Sequence, residues 1–538
     1  MKTLIMKSAL DVRPDLQKFL FRRGFLISRN SFDDIIEQFP FYGNWTSIQL
    51  GEYHFMAHKD TGFHYCVTDH ATYFIMGHCY NPFTMEHEEV KQLVYIAEAY
   101  QHPEEFQRRI DELTGVFVLG WFDKEKISFL TDPSGIQSAF YGIIDNNFLI
   151  TSHAQLIGDL YGLSKSQLVE ELLAYKWYSR VKGGYLPADL SPFDPVKRVV
   201  PNILFTHAVP NQRGGDGRQQ VSTHRFYPLR NLPICNTVLD YDRTICEASN
   251  ILKLGAELVL KKWSNPALSL TGGIDSNTTF AAANGHYSDF ATFTYLSEHK
   301  ESIDVEAAEK IAAHFNVKHS TYHIPMDNAE IDDFDIKAAI LAHNNGYVTP
   351  AKKVNDLRKR IYLAEHCPYD VEVKSWVSET IRAYWYKHFN RSNMPPLSPK
   401  LFRNLYKIFL GNRSLAHKID LLFADYIERF EYHKIPAVYT PSDMFYSEVS
   451  MGSWGGVNIS EMKYSFDITV LYNNRLFLDL LFRVPLEKRI NDQHHLDMKK
   501  RLNRELYDLN IRVVNMEETR NRAFLLNLIF NLNTYLPF

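Results

Sequence analysis

The sequence predicts a two-domain protein: an antiparallel, layered first half and an α/β second half built on a mainly parallel sheet. Three observations carry that prediction. The chain has 538 residues, more than one compact core ordinarily accommodates. Residues 45 to about 153 alternate apolar and polar positions around turn pairs, as linked hairpins do. Beyond about residue 240, short apolar runs alternate with helical segments, the rhythm of strand–helix–strand units.

In the first half, "VFVLGWFDKEKISFLTDPSG" and "SAFYGIIDNNFLITS" turn at Asp123-Lys124 and Asp145-Asn146. Residues 202–227 read as a further hairpin whose Gly-rich tip is expected to be locally disordered. The domain boundary falls near residue 230, giving domains 1–230 and 231–538. In the second half, "YDRTICEASNILKLGAELVLKKW" places Ile245, Ala248, Ile251, Leu252, Leu258 and Val259 at helical spacing. Four strand-like runs follow, "ALSL", "FATFTYL", "STYHIP" and "DVEVKS". Between the second and third, "DVEAAEKIAAHF" sets Ala307, Ala308, Ile311, Ala312 and Phe315 on one face. From about residue 400 the pattern is helical and rich in aromatics.

Composition excludes some classes of function. A net charge of -4 offers no general footprint for nucleic acid or for a membrane surface, so neither is an expected partner. The five cysteines are scattered without metal-ligand spacing, which predicts reduced thiols and a cytoplasmic location. Lys7 and Asp11 interrupt the apolar start too early for a signal peptide, and "FLLNLIFNL" is far shorter than the ~20 residues that span a bilayer. A homodimer is compatible with the sequence and not demanded by it.

The stretch "LSLTGGIDSNTTFAAA" carries the chemistry. Adjacent Gly272 and Gly273 let backbone amides approach an anion, and a helix starting near Ser276 adds its partial positive end. Thr271 and Ser276 offer hydroxyl donors. Asp275 would repel a bare phosphate, which implies a Mg²⁺ between them. The plainer alternative is a tight strand–turn–helix corner with Asp275-Ser276 as cap. The buried strand before and the second strand about twenty residues later favour the phosphate cradle. No lysine follows the glycines, so this is not the Gly-Lys-Ser/Thr nucleotide loop.

These residues resemble the Ser-Gly-Gly-x-Asp-Ser pyrophosphatase loop of the asparagine synthetase family, with Thr271 in place of the first serine. "TFTYLSEHKESIDVEAAEKIAAHFNVKHSTYHIP" and "GYVTPAKKV" are similar to later segments of that family, so the likeness covers roughly residues 240 to 385. It implies an ATP-pyrophosphatase domain in which Leu270, Thr271, Gly272, Gly273, Asp275 and Ser276 hold ATP and backbone near Phe293 to Leu296 meets adenine. It also implies adenylation of a substrate carboxylate with release of pyrophosphate, followed by attack of an amine and release of AMP. Where the family has Ser-Gly-Glu-Gly-x-Asp-Glu, this chain reads "KSWVSETIR". The alignment makes Asp275 and Glu379 the expected Mg²⁺ ligands and, with Arg382, the expected catalytic residues, and sets Ser375 facing substrate. Glu379 and Arg382 also read as an i,i+3 surface pair on a helix capped by Ser378. Further on, Asn474 and Arg475 suit a grip on the substrate carboxylate as well as they suit a capped helix starting at Asn473 or Asn474. The family's late lysine is not found, and His494-His495 are expected to be at the surface or capping.

The first half resembles the family's glutaminase, an Ntn-amidohydrolase-like antiparallel sandwich, through "LTGVFVLGWFDKEKISFLTDPSGIQSAFYG" and "FLITSHAQLI". Its nucleophile is missing. Lys2 stands where the family has cysteine, and Thr3 or Ser8 would need a propeptide removed. "MGHCYNP" keeps Gly77, Tyr80 and Asn81, while Met76 replaces the oxyanion-binding asparagine. The pairing of a dead glutaminase with a live adenylating domain resembles the β-lactam synthetase and lasso-peptide cyclase members. The expected function is therefore an ATP- and Mg²⁺-dependent carbon–nitrogen ligase that joins a small-molecule or peptide carboxylate to an unidentified amine without glutamine. The alternatives are a non-catalytic nucleotide-fold binding or assembly protein, and amidation of a sugar acid or peptide by free ammonia.

Overall fold

The computed structural model describes residues 2–179, 183–208, 221–349, 354–407, 409, 411–511 and 516–535. The glycine-rich tip expected at 209–220 lies outside them, as do residues 350–353 of the Thr-Pro segment.

The predicted hairpins form. Thr114–Phe122 pairs antiparallel with Lys126–Thr131, and Phe140–Ile144 with Asn147–Thr151. Asp145 and Asn146 both take left-handed conformations, φ 50° and 61°, the pair a two-residue type I′ turn requires. Ile203–Ala208 pairs with Val221–Arg225, as the 202–227 reading expects. These strands belong to two six-stranded antiparallel sheets. The central strand Phe25–Ser28, buried at every position, was not read from sequence. A helix, Lys2–Asp11, precedes it, so Lys2, Thr3 and Ser8 sit on a helix and head no strand of the sandwich.

The second half opens with the helix Val238–Lys262. Thr237 caps it by accepting from the Asp240 amide, and all six apolar residues named from sequence are buried along it. The helix Ser302–His314 likewise buries Ala307, Ala308, Ile311 and Ala312. The sheet between the helices is parallel throughout. Its spatial order is His319–His323, Ala291–Leu296, Pro266–Ser269, Val371–Val373, Asp467–Thr469. Four of these match the predicted runs. The fifth comes from the region read as helical, reaching the edge from nearly a hundred residues downstream. The chain starts at the centre, runs outward to one edge, then returns to the other side. Pro266–Ser269 and Val371–Val373 therefore flank the switch point, where an open sheet leaves a crevice at its carboxyl ends.

One hydrophobic cluster runs from the sandwich through the parallel sheet into the C-terminal helices. Among the described residues no helix is long and apolar enough to cross a membrane.

Candidate functional site

The crevice at the switch point holds a cavity of about 580 Å³. Leu270, Thr271, Gly273, Asp275 and Ser276 line one end, together with Phe293. The helix Ile274–Ala282 starts at Gly273, which supplies no capping side chain, so its first amides have no intrahelical partner. Gly273 has φ −70°, and a Cβ placed there would come only to 3.4 Å of Thr271 Oγ1. Neither its backbone conformation nor the surrounding protein needs a glycine.

The hydroxyls form a small network. Thr271 Oγ1 and Ser276 Oγ lie 2.7 Å apart, and the Gly273 amide donates to Thr271 Oγ1 at 3.2 Å. Gly272, expected in the cradle, instead donates its amide to Asp304 at 3.0 Å. Leu296 sits at the end of its strand without lining the cavity, so of the two adenine-side residues only Phe293 borders it.

The opposite wall comes from the turn after Val371–Val373 and from a helix that sequence could not disclose. Lys374, Ser375, Trp376, Val377, Ser378 and Glu379 all line the cavity. Ser375 accepts from Thr279 at 3.0 Å, which ties this wall to the loop helix. Val377 takes φ 73°, a conformation costly for a β-branched residue and of the kind that clusters at functional sites. Residues Tyr446–Gly455 form a π-helix, a rare element frequent at functional sites. It presents Tyr446, Ser450, Met451 and Trp454 to the cavity. Trp454 stacks on Trp376 with ring centroids 5.1 Å apart. Lys374 also lines the cavity, with its Nζ 2.7 Å from Glu372.

Asp275 is thoroughly engaged. One carboxylate oxygen accepts from Ser378 Oγ at 2.6 Å and lies 3.4 Å from His495 Nε2, and the other is bonded by Arg382. Arg382 also bonds Glu379 at 2.9 Å and is clasped by Asp492 through Nε at 2.8 Å and Nη2 at 3.0 Å. Burial raises the Glu379 carboxyl above its ordinary value, with Arg382 opposing and Asp275 adding to the shift. Burial, then Arg382, holds His495 well below the usual imidazole range, so the ring that meets Asp275 is neutral.

The two carboxylates expected to bind Mg²⁺ are thus bridged by a guanidinium. Among the described residues no group of three or more His, Cys, Asp or Glu is arranged to hold a metal ion. As placed, the residues do not fit a protein-held Mg²⁺.

The structure takes two expected substrate residues away from the site. Asn474 and Arg475 are fully buried between the halves. Asn474 caps the helix Arg475–Phe482 and donates to Glu112 O and Thr114 Oγ1. Arg475 bonds Asn202 and the Thr131 carbonyl, so it fastens the sandwich to the second half rather than gripping a substrate. His494 and His495 are likewise buried and bonded to each other at 2.9 Å, not at the surface.

Sheet order and loop together define the class: an open parallel α/β sheet with a glycine loop at its switch point, joined to an antiparallel sandwich. A family model described as asparagine synthase matches residues 265–351, the segment that holds the loop. That segment is similar to the asparagine synthase family, which indicates an ATP-dependent ligase. Two solved structures are also similar. One is a glutamine phosphoribosylpyrophosphate amidotransferase from B. subtilis complexed with ADP and GMP, with 10% identity and TM-score 0.22, covering 57% of this chain and 61% of that one. The other is described as the allosteric regulatory enzyme of purine biosynthesis, with 9% identity and TM-score 0.24, covering 61% of this chain and 85% of that one. The chain thus spans under two thirds of the first of these. No curated protein matches it.

Proposed function

We propose that the protein is an AMP-forming carbon–nitrogen ligase that adenylates a carboxylate and passes the acyl group to an amine. The observation that carries this reading is the uncapped helix start at Gly273 opening into the switch-point cavity. Free amides of the first helical turn, with Thr271 and Ser276 hydroxyls, suit the β- and γ-phosphates. Lys374 offers a further positive charge toward the departing pyrophosphate. The aromatic wall of Trp376, Tyr446 and Trp454 suits the body of the acyl substrate, whose carboxylate oxygen attacks the α-phosphorus and expels pyrophosphate. The amine then adds to the activated carbonyl, loses a proton and expels AMP. Excluding water behind that wall protects the mixed anhydride from hydrolysis.

We further infer that the amine does not come from glutamine. The first sandwich strand is headed by Arg23-Gly24, with no thiol or hydroxyl at its start. Burial raises the Cys79 thiol well above its usual value and raises Cys66 as well, so neither is an activated thiolate.

ATP–pyrophosphate exchange across a panel of carboxylates tests the reading. Exchange with one class of acid, lost on mutating the loop, is the expected result. ATP binding without exchange for any acid would point instead to a non-catalytic nucleotide-binding role.

A further inference from the structure

The charge cluster beneath the loop carries one step more, and that step rests on the ligase reading above. Arg382 bonds Asp275 and Glu379 through a single nitrogen, Nη1, while Nε and Nη2 are held by Asp492. Asp492 is fixed in turn by Lys387 at 2.7 Å. The side chain of Arg382 is only 10% exposed, so this is a seated guanidinium and not a surface arm that swings aside. Four of its five N–H donors are used by three carboxylates, a match to the planar fork that a lysine could not make. Mg²⁺ holds near-octahedral geometry and sheds its waters reluctantly. To ligate Asp275 it would have to displace a charge-assisted bond and the Ser378 hydroxyl, then sit beside the cation it had displaced.

We propose that Arg382 takes the place of a protein-held divalent cation between Asp275 and Glu379, so that this chain lends Mg²⁺ no carboxylate. Asp275, Glu379 and Asp492 then act as a cradle for Arg382. Metal that reaches the site arrives on the nucleotide and is held by its phosphates.

Two measurements on the full chain test this, neither relying on turnover. Mn²⁺ titrated into nucleotide-free protein and followed by electron paramagnetic resonance should show no stoichiometric site in the wild type. Arg382→Met, which bares the carboxylates, should gain one. Calorimetry with ATP should give affinities in EDTA and in Mg²⁺ within about threefold of each other for the wild type. A wild-type Mn²⁺ site abolished by Asp275→Asn, or ATP binding that needs metal, overturns the proposal. The wild-type titrations need no variant, so misfolding of a mutant cannot shelter it. ATP that binds only with metal sinks this inference alone. ATP that fails to bind under either condition sinks the ligase reading, and this inference with it.

Discussion

At Gly273 the chain uses a residue its own packing does not require. A Cβ there would meet Thr271 Oγ1 at 3.4 Å and Ser276 Oγ at 4.0 Å, both ordinary contacts, at an unstrained φ of −70°. Ala is a poorer cap than Gly by some tenths of a kcal/mol, and the lower entropy of its unfolded chain returns about 0.4–1 kcal/mol. Gly273→Ala should therefore fold with unchanged stability. The added methyl would point into the space a phosphate must enter, so ATP affinity should drop at least tenfold. Matching urea midpoints with unequal calorimetric affinities is the expected pair of results. Equal affinities would mean the loop is only a tight corner. This residue was legible in sequence because six contiguous positions contain the whole device. Arg382 was legible only through the family alignment, and Asp492 and His495 were not legible at all, because Asp492 reaches Arg382 and His495 reaches Asp275 from more than a hundred residues downstream. Spacing along the chain says nothing about such a meeting.

At the scale of elements, the least foreseeable feature is the π-helix Tyr446–Gly455. Composition cannot separate it from an α-helix, since both want the same residues. Its position is set from outside. Glu448, fully buried, meets Arg225 of the sandwich through two bonds, 2.8 Å and 3.2 Å, and accepts from Tyr432 Oη at 2.6 Å. Asn202 adds a fourth contact at 3.3 Å. Removing one partner of such a pair strands a buried charge and costs about 3–5 kcal/mol. Glu448→Ala should destabilise by that order in urea unfolding. It should also let the wider turns relax toward α geometry, swinging Trp454 off Trp376. The stacked indoles give an exciton couplet in circular dichroism, which the variant should lose. A retained couplet would show that the π register is set locally and not by Arg225. The same dependence on distant partners explains the fate of Asn474 and Arg475. A polar pair at a helix start reads identically whether it faces a ligand or, as here, a second domain.

For the whole molecule, the boundary between the sandwich and the second half is where a pH dependence of stability is expected. His153 sits at that boundary, with Ser152 Oγ at 2.7 Å from one ring nitrogen and Ser460 Oγ of the second half at 3.1 Å from the other. Burial pushes His153 down to about 3 and His58 down to about 4. An unfolded histidine takes its proton near 6.5, so between that value and the folded one the unfolded chain binds more protons. Stability from these residues is complete above pH 6.5 and drains away as pH falls toward 4 and then 3. Each such histidine contributes up to about 1.4 kcal/mol per pH unit across its window. His494 and His495, lowered by burial too, act with the same sign. Carboxylates held by cations lose their share mainly below pH 4, as Asp492 does beside Arg382. Between 6.5 and 5 the histidines are opposed by carboxyls that burial raises, Asp111 to about 7 among them, so the slope specific to His153 is read from its variant. His153→Gln should therefore hold its urea midpoint better than the wild type as pH falls from 7 to 5, because glutamine keeps hydrogen bonds to both hydroxyls without a proton to gain. A slope left unchanged by His153→Gln would mean that His153 can be protonated in place between Ser152 and Ser460.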